Sequence, residues 1–571
     1  MRSAAGAEPG SAAVDPPGDP GPQGSGPPGP GPAARVAGRR TRGLTRLAGA
    51  GEAGHQTRAL TRLAGAGEAG RRTRGLTWLA GAGEAGRRTK TLTWLAGAGI
   101  GSSILVMIAT SVVRDSWMTP AMPGPAAGPP WDLRSVHITP GTATVALWLA
   151  AIVGAAGVAA GLAAVRRGAR PSLRVLLVAA GVAVAALTVL PPAGSTDAFD
   201  YASYGRIMAL GHNPYVMTPY HLRLMHDSFS PSVPTTWQHV VSVYGPLATV
   251  EQFLAARLGG GSAARTVFWL KLWDSVAFAL VALVIDRLLR PDPARRLRGH
   301  LLWTVNPLLL WNLIAAGHLD VLAAAAGLIG LAVLGEQPGT ARLSAARVLA
   351  AGALIGIAAD IKINYVLFGL GAAWALRRAP AALVAVAAAA LAVLVPSYAW
   401  FGSPAVAAIV DRRNGASVNN FYRAFILDPR LLAHLAVIAG VLVVATAWLA
   451  LRRMPPGDPL RPAIRPALAI SAAWLFIWPY QFPWYDAMLV CLLVLYPASR
   501  LDWLVLIRLV AGTVPNTPGH PMAHPPLVAW LHHVAVHAVS PMVLLAAAVG
   551  FVWLCWSGRW DMRQAGPPVL A

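Results

Sequence analysis

The stretch STDAFDYASYGRIMALGHNPYVMTP, residues 195–219, holds the densest group of reactive side chains in the chain. Asp197 and Asp200 lie close together in it, Arg206 follows, and Asn213-Pro214-Tyr215 gives a turn signal. Tyr244-Gly245-Pro246-Leu247 comes next, then Asn306-Pro307 and, after it, His318 and Asp320. Asp360 and Lys362 stand between two apolar runs, Arg412, Arg413 and Arg423 occupy a later polar segment, and Trp484, Tyr485 and Asp486 close the series. A carboxylate is the base that an attacking hydroxyl needs, and one suffices for a single inverting displacement at a sugar carbon. A phosphate leaving group needs no acid, but it needs cations, which Arg206, Lys362, Arg412 and Arg413 offer. Trp237, Tyr215, Trp400 and Trp484 offer flat apolar faces with polar rims for sugar rings. The set fits transfer of a sugar from a lipid phosphate to a hydroxyl.

Each residue also has a plainer reading. Asp197 and Asp200 are suited to capping a short helix. Arg412 and Arg413 fit a solvated loop, Asp360 and Lys362 fit a structural pair, and His318 and Asp320 fit polar groups packed against Asn306. His533 and His537 have the spacing that puts two imidazoles on one helix face. No Cys or carboxylate accompanies them, so no metal is expected there, and the chemistry above requires none.

These residues must be positioned by elements that live in lipid. Of 571 residues 55% are hydrophobic and only 12% charged, and the mean hydropathy is +0.52. Such a chain cannot cover a water-facing surface, which excludes a cytosolic enzyme, a disulfide scaffold and disorder throughout. It reads as an all-α polytopic membrane protein. The two cysteines, Cys491 and Cys555, fall in apolar runs. The net charge of +23 would suggest nucleic acid in a soluble protein. Here it reads as topology, with no nucleic-acid partner, because basic residues collect in cytoplasmic loops.

Windows of apolar residues give about 14 spans, with a range of about 12–14. Among them are 300–316, 320–335, 363–376, 466–480, 487–499 and 501–513. Every second connection carries Arg, including Arg166, Arg298, Arg378, Arg465 and Arg500. This alternation predicts a multi-pass protein with both termini cytoplasmic. The loops 114–140, 193–263, 401–430 and 514–537 then face outward and form the active site, 193–263 being the main catalytic loop. Residues 1–94 read as a disordered cytoplasmic tail with four 16-residue repeats over 39–102, such as RRTRGLTRLAGAGEAG. Residues 95–558 form the membrane domain and 559–571 a second cytoplasmic tail. The first span, 95–113, should act as an uncleaved anchor, with no cleavable signal peptide before it.

The motifs resemble a known family. Leu190-Pro191 through Asp197, Tyr201, Gly205-Arg206 and Asn213-Pro214-Tyr215, then Tyr244-Gly245-Pro246-Leu247, is similar to the actinobacterial polyprenol-phosphate-mannose-dependent α-1,6-mannosyltransferases of the MptB type, in the GT-C superfamily. Asn306-Pro307 with Gly317-His318-Leu319-Asp320 resembles its Asn-Pro…Gly-His-Asn-Asp segment, with Leu319 in place of Asn. Pro483-Trp484-Tyr485 resembles its late Pro-Trp-Tyr. The similarity runs over roughly 140–500, in the family's order. It implies a GT-C-like fold in the plasma membrane, a polyprenyl-phosphate-mannose donor and a glycan or lipoglycan acceptor, with membrane lipids around it. It carries the base over to Asp197, with Asp200 second. The phosphate partners Arg206, Lys362, Arg412 and Arg413 are assigned from their charge and are not carried over by a motif. Asn213, Tyr215, Trp237, Tyr244, His318, Asp320, Trp484 and Tyr485 would bind sugar or acceptor. Another lipid-linked sugar, such as arabinofuranose or glucose, and a transporter of lipid-linked sugars stay as alternatives.

Overall fold

The structure is a computed structural model. It describes residues 86–112, 122, 128–131, 138–335, 344–411, 417–422, 434–480, 482–517 and 525–561. The described residues contain helices and connecting turns and no strand. Most of the tail and its repeats, 1–85, lies outside them.

Helix α1 (Gly86–Ser111) starts ahead of the expected position 95, so the fourth repeat, which begins at Arg87, is helical throughout. It is followed by α2 (Pro140–Arg166) and α3 (Leu173–Val189). The main loop then holds α4 (Asp197–Ala209), α5 (Tyr220–Leu224) and α6 (Pro246–Gly259), and α7 (Ala263–Leu289) leaves it. Next come α8 (Pro293–Leu302) and α9 (Pro307–Leu309), which runs on as a π turn (Leu310–Ala315). The chain bends by 116° between this segment and α10 (Asp320–Leu334). After them are α11 (Ala345–Ile361), α12 (Val366–Leu376), α13 (Pro380–Phe401) and α14 (Ser403–Asp411). The remainder is α15 (Leu435–Arg453), α16 (Ile464–Ile477), α17 (Asp486–Leu493), α18 (Leu501–Thr513), α19 (Pro526–Val534) and α20 (Ser540–Ser557).

Six described helices are long and apolar enough to cross a membrane, or seven if the bent pair counts as one span. The remaining expected spans correspond to shorter helices such as α3, α12, α16 and α17. The physical reason is local. Asn306 caps α9, its Oδ1 accepting from the Leu308 amide at 3.1 Å. Gly317 takes a φ of +69°, which ends that segment before α10. Helix breaks of this kind are tolerated in a membrane only where protein satisfies the freed backbone groups. Here Asn312 and His318, both buried, take part in doing so.

The basic connections meet one another. Arg298 holds both oxygens of Asp502, at 2.7 and 2.5 Å, and donates to the Tyr496 carbonyl at 2.9 Å. Arg295 donates to the Leu495 carbonyl and Arg465 to the Leu451 and Met454 carbonyls. The Arg500 amide donates to the Trp560 carbonyl. Residues of other connections, around 194–204 and 236–244 and at Ile409, Ser417, Tyr480, Trp484 and Asn516, line a common cavity. The chain is a multi-pass membrane protein.

Candidate active site

The cavity measures about 680 Å³ and takes Asp197, at the start of α4, into its wall. The loop that delivers Asp197 is fixed from below. Lys271 of α7 is wholly buried, and its Nζ donates to the Leu187 and Leu190 carbonyls at 2.6 and 2.7 Å. It thereby satisfies carbonyls that α3 leaves open at its end. The Ala193 amide donates to the Ala315 carbonyl at 2.8 Å. Ser195 Oγ then accepts from the Asp197 amide at 3.1 Å.

Asp197 Oδ2 lies 3.5 Å from His318 Nε2. Burial pushes its carboxyl up, but the neighbouring His318 and the charge of Lys362 outweigh that and hold it below the ordinary carboxylate range. It is ionised at neutral pH. Asp200 is only 3% exposed, and its Oδ1 has no hydrogen-bond partner among the described residues. Burial, and then the charge of Asp197, push its carboxyl well above the ordinary range, so it is a neutral acid. Two carboxylates on one helix face are thus driven apart in protonation.

Lys362 follows α11 and also lines the cavity. Its Nζ sits 2.7 Å from Asp320 Oδ2 and 4.0 Å from the centre of the Tyr485 ring. Asp320 is fully buried, and its carbonyl accepts from the Tyr365 hydroxyl at 2.8 Å. The Asp360–Lys362 pair read from the sequence does not form. Asp360 Oδ1 accepts from the Leu247 amide at 2.9 Å, and its Oδ2 accepts from Ser397. The wall is also aromatic: Trp237, Tyr244, Trp484 and Tyr485 line the cavity, beside Trp474 and Phe482. Phe482 stacks on Trp484 with centres 4.7 Å apart.

Other expectations need correction. Arg206 is absent from the cavity wall, because Asp227 takes its Nε and Nη2 at 3.1 and 2.8 Å. Asn213 Oδ1 accepts from the Tyr215 amide at 2.9 Å, which shapes a turn, and Asn213 is absent from the cavity wall. The Tyr215 hydroxyl is buried between the Tyr244 carbonyl and Thr249 Oγ1, each at 2.8 Å. His318 and Asp320 do not line the cavity; both are wholly buried behind Asp197 and Lys362. Trp400 is 83% exposed and is not part of the wall. Arg412, Arg413 and Arg423 lie outside the described residues, although Ile409 and Ser417 on either side of 412–416 line the cavity. The rings of His533 and His537 are 4.5 Å apart.

Sequence reasoning missed Trp474, Trp478, Tyr480 and Asn516 in the wall, and Asn364, whose Oδ1 is buried and unpartnered among the described residues. The run Trp478-Pro-Tyr480 immediately before Phe482 was the available signal for the aromatics. Nothing in the sequence marked Lys271, because its partners are backbone carbonyls.

Residues 96–379 match the model of the MptA_B family, alpha-(1->6)-mannopyranosyltransferase, N-terminal domain, and over this segment the chain belongs to that family. The protein is a glycosyltransferase. No curated protein matches. The chain is similar to the crystal structure of ArnT from Cupriavidus metallidurans bound to undecaprenyl phosphate, at 17% identity and a TM-score of 0.36, over 68% of this chain and 77% of that one. It is similar to the apo ArnT structure at 16% identity and a TM-score of 0.35, over 67% and 75%.

Proposed function

We propose that the protein moves mannose from a polyprenyl phosphate to a hydroxyl of a glycan or lipoglycan, forming an α-1,6 linkage with inversion, at the outer face of the plasma membrane. One observation carries the reading: the carboxyl group of Asp197 and the buried amine of Lys362, paired with Asp320 at 2.7 Å, share the wall of one aromatic-lined cavity. The acceptor oxygen attacks C1 of the sugar, and its proton passes to Asp197. The C1–oxygen bond to phosphate breaks, and its electron pair leaves with the phosphate. Lys362 stabilises that charge; Arg412 and Arg413 remain proposed partners for it. A cation placed where charge develops in a desolvated site is worth more than one in water. The pair Asp320–Lys362 fixes the ammonium on a buried carboxylate rather than leaving it mobile.

Trp237 and Tyr485 present aromatic surface to the sugar and to the first part of the lipid, and Trp484, stacked between Phe482 and His318, backs that wall. Cations supplied by the protein make a divalent metal unnecessary in this scheme. The test uses membranes containing the chain, a short α-mannoside acceptor and radiolabelled polyprenyl phosphates of mannose, glucose and arabinofuranose. Label transferred from the mannosyl donor alone supports the reading. Transfer only from another donor keeps the enzyme class and replaces the sugar.

A further inference from the structure

His318 lies outside the cavity and yet against its base. The ring is completely buried, lies nearly parallel to Trp484 with centres 3.9 Å apart, and turns Nδ1 to the Asn312 carbonyl. A carbonyl oxygen only accepts, so Nδ1 carries a hydrogen. The state of Nε2 is then the open variable. Nε2 points at Asp197 Oδ2, 3.5 Å away, and no hydrogen bond closes that gap. A bare Nε2 would set its lone pair against a carboxylate lone pair in a dry place, so the arrangement calls for a proton between the two atoms.

We propose that His318 is a positioning residue of the transferase: as an imidazolium it holds one carboxylate oxygen of Asp197 and leaves the other to the acceptor hydroxyl. This rests on Asp197 as the base. The acceptor's proton goes to the free oxygen of Asp197, and the Nε2 proton stays on His318 throughout. The other groups facing Asp197 do not replace His318. Lys362 is matched by Asp320 at 2.7 Å, and Asp200 on the same helix is a neutral acid. The phenols of Tyr201, Tyr244 and Tyr485 and the hydroxyl of Ser195 carry no charge at neutral pH.

The experiment follows carbodiimide labelling of Asp197 across pH, peptide by peptide, in the full chain in membranes. A carbodiimide reacts with protonated carboxyls in apolar surroundings, so the half-labelling pH reports the protonation of Asp197. Wild type is compared with His318→Gln, which keeps a donor without charge, and His318→Phe, which keeps the ring on Trp484. Thermal unfolding of each variant checks that the chain is folded. In both variants the half-labelling pH of Asp197 should rise by about one to three units, since an opposite charge at this range lowers a carboxyl by that much. The acidic limb of kcat should move with it, while KM for the donor stays unchanged. An unmoved half-labelling pH in either folded variant, or a raised donor KM with an unmoved profile, would overturn the proposal. A shifted labelling profile in a chain whose wild type transfers no sugar would support the pairing and overturn the base role on which it rests.

Discussion

Asp197 and Asp200 share a helix face, yet only one of them is an anion. The cause is the company each keeps: Asp197 has His318 and Lys362, while Asp200 has burial and the charge of Asp197. Asp200→Asn replaces a neutral acid by a neutral amide of the same shape. Transfer at pH 7 should therefore stay within about tenfold of wild type, far less than the 10²–10⁴ that a general base contributes. A loss as large as that of an Asp197 variant would mean that Asp200 also titrates in the reaction. The sign for Asp197 is equally definite. Its folded carboxyl is lowered, so the ionised form persists as the pH falls, and the acidic limb of kcat/KM should lie below the ordinary carboxylate range near about 4. A limb above pH 6, measured on wild type with a donor that does not itself titrate there, would contradict it.

Two motifs that look like chemistry in the sequence are scaffold at the scale of elements. The Tyr215 hydroxyl reaches the Tyr244 carbonyl and Thr249, and the Ser242 amide donates to the Pro214 carbonyl, so the Asn-Pro-Tyr turn holds the Tyr-Gly-Pro-Leu turn in place. Gly245 completes the arrangement: a Cβ there would come within 1.3 Å of the Asp360 carbonyl oxygen. Tyr215→Phe should lower stability by about 1–3 kcal/mol, because buried acceptors lose their donor. Its donor KM should be unchanged, as measured by thermal unfolding and kinetics on the same preparation. A raised KM with unchanged stability would return Tyr215 to the sugar site. The sequence showed which residues are special here but not why, because a turn and a ligand draw on the same residue types. Asp197, Lys362, Tyr244, Trp484 and Tyr485, which share the cavity wall, were legible as candidates by charge, isolation in apolar surroundings or motif. The burial of His318 and Asp320 behind them was not legible, since it depends on the bend between α9 and α10.

For the whole molecule, the apolar composition was the most informative signal, and the six long apolar helices among the described residues answer to it. The number of spans was less legible. Hydropathy windows cannot tell a full crossing from a shorter helix whose ends are satisfied inside the protein, as at α16 and α17. The orientation is testable with single cysteines in the chain with Cys491 and Cys555 replaced. A cysteine at the exposed Ser228 should react with an impermeant maleimide added to intact cells, and one at the exposed Arg559 should react only after permeabilisation. The reverse pattern would invert the topology and put the cavity on the wrong face. The central claim is that Asp197 takes the acceptor's proton during glycosyl transfer from a lipid phosphate. It is tested most directly by comparing wild type with Asp197→Asn at equal abundance in membranes, using radiolabelled mannosyl phosphoryl-polyprenol and an α-mannoside acceptor. The account predicts transfer by wild type and a loss of at least about 10²-fold in the variant; equal transfer by both would contradict it.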